Sequence, residues 1–129
     1  MKRSLLKPTP GELEILRVLW SRGPSTVREV HEALGAHDTG YTTALKLLQI
    51  MADKGLVVRD ETARAHVYTA QVGEGDTQRQ LVRELLDRAF GGSAAKLVMQ
   101  ALSARQSSPE EIAGIRRLLD ELETTGGNR

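Results

Sequence analysis

The chain has no cysteine, few aromatic residues (one Trp, one Phe and two Tyr) and no long apolar run. Without cysteine it has no disulfide, no thiolate metal ligand and no thiol redox chemistry. A bilayer span needs about twenty mainly apolar residues in succession, and no such stretch is present. The start, MKRSLLKPTP, has only a Leu-Leu pair where a signal peptide needs a longer apolar region. We therefore expect a cytoplasmic protein.

Signatures of catalysis are also missing. The sequence has no Gly-x-Ser-x-Gly, no phosphate-binding glycine loop and no His-Glu-x-x-His. His31 and His37 lie six residues apart, which is not a recognised metal-ligand spacing. The sequence therefore predicts no enzyme, no cofactor and no metal site.

Overall charge gives little information about partners. The net charge is +1 over 129 residues, a length that suits one small domain with a helical appendage. Residues 1–73 carry ten Lys/Arg and eight Asp/Glu, whereas residues 74–129 carry eight and nine. Because nucleic-acid-binding domains are usually more basic than this, the functional inference has to come from the order of the elements.

The first half of the chain reads as three short helices and a hairpin. Apolar residues recur at helical spacing from Pro10, after Gly23-Pro24, and again over about 40–54. Two short β-prone runs follow, separated by a tip at DETAR, for which we expect three to five residues. The predicted helix caps are Thr9 with Glu12, either Ser25 or Thr26 with Glu29, and either Asp38 or Thr39; the predicted helix ends are Gly23, Gly35 and Gly55.

This order, with the third helix running directly into a two-stranded wing at about 56–69, predicts a winged helix-turn-helix domain over residues 8–72. In that arrangement the third helix packs one face on the first two helices and turns its outer, N-terminal residues to the DNA major groove. We assign its buried face to Ala44, Leu47, Leu48 and Met51.

The polar face of the third helix supplies the candidate DNA contacts. Thr42, Thr43 and Lys46 can reach base edges or phosphates, and the alternative is that they form a solvated helix face. Tyr41 can stack, bind phosphate or pack against the wing. On the wing, Arg64 is a candidate backbone contact or a charge that blocks strand addition, whereas His66 is better explained as an ordinary exposed strand residue.

The remainder of the chain, residues 74–124, has a purely helical pattern in three segments. The last segment has its own capping box, Ser108 with Glu111. So few residues cannot bury the apolar surface that these helices carry, and a two-fold dimer is the simplest remedy. The predicted dimerisation residues are Leu81, Leu85, Leu86, Phe90, Leu97, Ile115, Leu118, Leu119 and Leu122.

Five segments together resemble the penicillinase-repressor family of winged-helix transcriptional repressors: TPGELEILRVLW, GPSTVREVHEAL, GYTTALKLLQIMADKGLVVRD, ARAHVY and LLDRAFGGSAAKLV. The resemblance covers about residues 8–122. It implies a homodimer that binds an inverted-repeat operator and blocks transcription, with an N-terminal DNA-binding domain and a C-terminal dimerisation domain.

The chain departs from the family pattern in two places. Members that respond to β-lactams are similar in carrying an Asn-Phe bond in the dimerisation helices, and this bond is cut when a membrane-bound sensor protease is activated. This chain has Gln100-Ala101 at the matching position. Copper-responsive relatives use cysteines near the C-terminus, and this chain has none. The resemblance therefore does not identify the signal that ends repression.

A second class of function suits the same elements. Winged helices also serve as protein-interaction modules, and the nearly neutral head of this chain is compatible with that role. The two hypotheses differ in whether the protein binds duplex DNA.

Overall fold

The computed structural model describes residues 7–35 and 40–126 of the chain. The chain divides into two compact units, and the division falls between Glu84 and Leu85. The domain boundary expected at residues 72–74 stays a prediction.

The first unit contains three helices and a small sheet, in the chain order helix, strand, helix, helix, strand, strand. The elements are α1 (Pro10–Arg22), β1 (Ser25–Thr26), α2 (Val27–Leu34), α3 (Tyr41–Lys54), β2 (Val57–Asp60) and β3 (Val67–Ala70), followed by α4 (Glu74–Ala89), which crosses the division. The sheet is antiparallel with the order β1-β3-β2. The predicted class, mainly α with a small β-hairpin in a winged helix, is confirmed.

Local sequence determines where the first two helices begin. Thr9 and Glu12 form a complete capping box at α1, and Thr26 and Glu29 form another at α2, which decides between the two caps expected there. Gly40 occupies the N-cap position of α3. The predicted caps Asp38 and Thr39 lie outside the described residues.

One apolar core joins the helices and the sheet of this unit. From α3, Ala44, Leu48 and Met51 are fully buried as expected, while Leu47 is only half-buried. Tyr68 of β3 has 1% of its surface exposed, so the sheet closes one side of the core. The core residues are Ile15, Leu16, Leu19, Val27, Val30, Ala44, Leu48, Met51, Leu56, Val57 and Tyr68.

The junction between α3 and β2 is tight and hydrogen-bonded. Gly55 has φ 86° and ψ 13°, the left-handed conformation that the sequence predicts for this helix end. The Leu56 N–H donates to the Met51 carbonyl at 2.9 Å, and the Leu56 carbonyl accepts from the Gln71 N–H at 2.8 Å. Helix and sheet are therefore joined by backbone bonds on both sides of a buried leucine.

The structure corrects two predictions about the wing. The sheet has three strands rather than two, because Ser25, one of the expected caps, lies in β1 and pairs with Tyr68. Asp60, expected in the hairpin tip, belongs to β2, and the tip runs over residues 61–66. The Asp60 carboxylate accepts hydrogen bonds from the backbone and the hydroxyl of Thr62, so it still organises the turn.

The second unit contains the end of α4, followed by α5 (Ala94–Ala104) and α6 (Pro109–Gly126). Ser93 caps α5 by accepting from the Lys96 N–H at 3.1 Å. The predicted capping box of the last helix is confirmed, since Ser108 and Glu111 exchange both hydrogen bonds. No residue of α5 or α6 is buried within the described chain.

An ion pair between the partly exposed Lys54 and the buried Glu12 connects the first turn of α1 to the last turn of α3. The Lys54 ammonium lies 2.8 and 2.9 Å from the two carboxylate oxygens of Glu12, whose side chain is 3% exposed. The same carboxylate accepts from the Thr9 N–H at 3.0 Å. Glu12 therefore belongs to the cap of one helix and to the anchor of another.

The charge of Glu12 is stabilised despite its burial. Burial alone raises the pKa of the Glu12 carboxyl, but the hydrogen bonds from Lys54 and Thr9 and the charge of Lys54 outweigh it and hold that pKa below its ordinary value. The carboxylate form is therefore the one that the folded state prefers.

We predict that Lys54→Met lowers the free energy of unfolding by about 1–3 kcal/mol, the cost of leaving a buried polar group without its partner. Lys46→Met on the exposed face of the same helix is the matched control and should change it by less than about 0.5 kcal/mol. Urea unfolding at near-neutral pH measures both. Equal effects of the two substitutions would contradict a structural role for the ion pair.

We also predict that the stabilising effect of Glu12 depends on pH. Because its pKa is lowered in the folded state, its contribution is fully present above the unfolded-state value near 4.5 and is lost as the pH falls through the folded-state value. Glu12→Gln should therefore be destabilising at neutral pH, and the difference from the unchanged protein should shrink in acid. A constant difference across a pH series of urea unfolding would rule out this explanation.

Candidate nucleic-acid interface

The N-terminal part of α3 presents a polar surface to solvent. Tyr41, Thr42, Thr43 and Lys46 are all exposed, because Ala44 turns into the core. This part of the helix is at the opposite end from the Gly55 junction with β2. The four α3 residues that the sequence selects therefore lie together at the exposed start of the helix, and their contacts with DNA stay predictions.

Tyr41 is held at the start of α3 by its neighbour on α2. Its ring packs edge-on against the ring of His31, with the centroids 5.9 Å apart and the planes at 79°. Even so, 47% of Tyr41 remains exposed. Tyr41 therefore packs on α2, a contact that is not among those predicted from the sequence.

A groove runs between α2, the start of α3 and the wing. Its charged lining is entirely basic among the described residues: Arg28 comes from α2, Arg59 from β2 and Arg64 from the hairpin tip, with His66 beside it. Tyr41 and Gln49 line its α3 side. The groove therefore brings together Tyr41 and Arg64, two predicted site residues that come from different elements, while Thr42, Thr43 and Lys46 lie outside its lining.

Arg59 is oriented by two neighbours on the wing. It makes a side-chain hydrogen bond with Tyr68, and its Nε lies 2.6 Å from a Glu61 carboxylate oxygen. The bond to Tyr68, and after it the charge of Glu61, raise the pKa of the Arg59 guanidinium above its ordinary value. Arg59 is thus a fixed cation at the edge of the groove.

Arg28 and Arg59 were not among the residues selected from the sequence. Arg28 follows the Thr26 cap in the first turn of α2, a position that carries no chemical signature of its own. Arg59 faces the groove because β2 and β3 pair it with Tyr68, and that register depends on the hairpin tip. A correct prediction of the β2–β3 register would have placed Arg59 opposite Tyr68 and identified it as a residue of the groove.

The second unit carries a large apolar surface. Leu86, Phe90, Leu97 and Ile115 are half-buried within the described chain. Several of the other predicted dimerisation residues are more exposed: Leu85 48%, Leu118 52%, Leu119 54% and Leu122 58%. Leu81 is half-buried and lies in the part of α4 that belongs to the first unit. Exposed leucines at this density are unusual for a surface that faces only water.

The described residues contain no cluster of His, Cys, Asp and Glu able to hold a metal ion. Within the same part of the chain, no helix combines the length and apolar character that crossing a membrane requires.

Comparison with known proteins identifies the family. A family model described as penicillinase repressor matches residues 8–121. The chain belongs to the penicillinase repressor family. The resemblance inferred from its five sequence segments is thereby confirmed.

Among curated members of the family, transcriptional regulator BlaI of Mycobacterium tuberculosis is 38% identical over 92% of this chain and 88% of its own. The penicillinase repressor of Bacillus licheniformis is 26% identical over 86% of this chain and 88% of its own. A solved structure of a transcriptional regulator from Thermotoga maritima is similar with a TM-score of 0.47 and 18% identity, covering 93% of this chain and 77% of that chain. A family of regulators confirms the expectation that the chain is not an enzyme.

Proposed function

We propose that this penicillinase repressor family member is a homodimeric transcriptional repressor, which binds an inverted-repeat DNA operator through α3 and the wing. The observation that carries the proposal is the exposed polar start of α3 beside a groove whose charged residues are all basic. The curated relatives are named as a transcriptional regulator and a penicillinase repressor. A repressor of this kind acts in the cytoplasm.

In this proposal α3 enters the major groove and reads the operator. Thr42 and Thr43 offer a methyl group to thymine and a hydroxyl to phosphate, and Lys46 can bind guanine or the backbone. Arg64 contacts the backbone from the wing, next to the half-site. The rigid connection of α3 to the sheet through Leu56 supports a single docking geometry for both elements.

The dimer in this proposal is formed by the helices of the second unit. The exposed leucines of α4 and α6, with Phe90 and Leu97 beside them, supply the apolar surface that a second copy covers. Two-fold symmetry of the protein then explains why the operator is an inverted repeat. A membrane-bound sensor protease is not included, because Gln100-Ala101 replaces the bond that the β-lactam-responsive pattern requires.

The test of the proposal is selection from a random duplex library with the purified protein at near-physiological salt. Enrichment of one inverted repeat, with half-sites about 34 Å apart or a multiple of that spacing, is the expected result. Absence of any enriched sequence, together with no retained duplex at low salt, would instead favour the protein-interaction module.

We predict that Lys46→Ala lowers affinity for the selected duplex about tenfold, because a charge-assisted hydrogen bond to base or phosphate is lost. The matched control is Lys96→Ala, which removes an exposed lysine from α5. Fluorescence anisotropy with the selected duplex and a scrambled duplex measures both affinity and sequence preference. An unchanged affinity and preference would show that α3 is not the reading helix.

We predict that Leu118→Asp converts the dimer to monomers, because the new carboxylate would be buried without a partner in the interface. Leu85→Asp should have the same effect. Ala113→Asp on the polar side of α6 is the control and should leave the dimer intact. Sedimentation at micromolar concentration gives the assembly state, and circular dichroism checks that the first unit stays folded. A monomeric unchanged protein would contradict the proposed dimer.

A further inference from the structure

We infer, on the basis of the proposed function, that the groove between α2, α3 and the wing binds a phosphate of the DNA backbone through Arg28, Arg59 and Arg64, and that Glu61 weakens this binding by competing for Arg59. The proposed operator contacts of α3 and Arg64 give no role to Arg28, Arg59 or Glu61.

The charges that line the groove converge from separate parts of the fold. The three arginines come from three separate elements, and no Asp or Glu from the described residues lines the groove. Over the whole chain the net charge is only +1. At physiological salt, charges interact over about 8 Å, so a local cluster of this kind decides the attraction for an anion more than the total does.

The groove lies beside the start of α3. The groove opens beside Tyr41, at the same end of α3 as Thr42 and Lys46. A duplex read by that end of α3 brings its backbone past both the helix and the wing. Guanidinium groups present several donors in one plane, which suits the oxygens of a phosphate. The groove is therefore a phosphate site at the edge of the reading surface.

The Glu61 carboxylate lies against one of the three arginines. Its oxygen lies 2.6 Å from Arg59 Nε, so a phosphate that binds Arg59 must share the guanidinium with a negative charge of the protein itself. More than half of the Glu61 side chain is exposed, at 54%. Replacing this carboxylate by an amide removes the repulsion of the phosphate while the shape of the side chain is kept.

We predict that Arg28→Ala lowers affinity about tenfold for both the selected and the scrambled duplex, because phosphate contacts carry no sequence information. One phosphate in each protomer of a dimer corresponds to a fall of about 2 in the slope of log affinity against log salt. Arg116→Ala on α6 is the matched control, since it removes one exposed arginine from the other unit.

Glu61→Gln is the decisive variant, because it should raise affinity for both duplexes by about two- to fivefold for each protomer. A residue with only a structural role would lower affinity or leave it unchanged. Glu110→Gln changes the net charge by the same amount at an exposed position of the other unit and should have no effect. Thermal unfolding confirms that each variant is folded.

Anisotropy titrations with the two duplexes, at about 50–200 mM salt, separate this inference from the proposed function. If the unchanged protein binds the selected duplex but Arg28→Ala keeps its salt slope and Glu61→Gln matches Glu110→Gln, the groove is not a phosphate site while the repressor proposal stands. If the unchanged protein binds neither duplex, both are wrong.

Discussion

The ion pair between Lys54 and Glu12 is the constraint on which the reading surface depends. It joins the first turn of α1 to the last turn of α3, and its carboxylate also completes the α1 cap. Apolar contacts hold α3 in the core, and the buried Glu12 carboxylate adds a charge that is costly to leave without its partner. The pair therefore anchors the C-terminal end of α3 to α1, while Ala44 and Leu48 pack nearer its exposed N-terminal end.

The sheet extends this fixed frame to the wing. Gly55 and Leu56 turn the chain from α3 into β2 without a flexible linker, and Leu56 bonds to Met51 of α3 and to Gln71 just after β3. On the other side, the Trp20 indole N–H donates to the Val72 carbonyl at 2.9 Å, which fastens the chain beyond β3 to α1. Both ends of the hairpin are thus tied to the helices, and its tip at residues 61–66 contributes Arg64 and His66 to the groove beside α2 and α3.

Features decided by neighbouring residues could be predicted from the sequence, and features decided by distant pairing could not. The capping boxes at Thr9, Thr26 and Ser108 need residues three apart, so the pattern is visible in the chain. Strand β1 has two residues without a strand-like pattern and exists because Tyr68 pairs with Ser25. The same distinction applies to the site: the α3 residues share one helix face, whereas Arg28 and Arg59 meet only after folding.

The distribution of charge suits a protein that must bind one DNA sequence tightly and dissociate readily from all others. Backbone contacts strengthen binding to every sequence equally, whereas contacts to base edges separate the operator from the rest. If Glu61 weakens one backbone contact, it lowers the affinity for the operator and the affinity for other DNA by the same factor. In the proposed complex, the ratio of these two affinities is then set by α3. Since a genome offers very many competing sites, this ratio, more than either affinity alone, decides how much of the operator is occupied. In the proposed repressor, the basic groove therefore supplies attraction to any duplex and α3 supplies the discrimination, although the whole chain is nearly neutral.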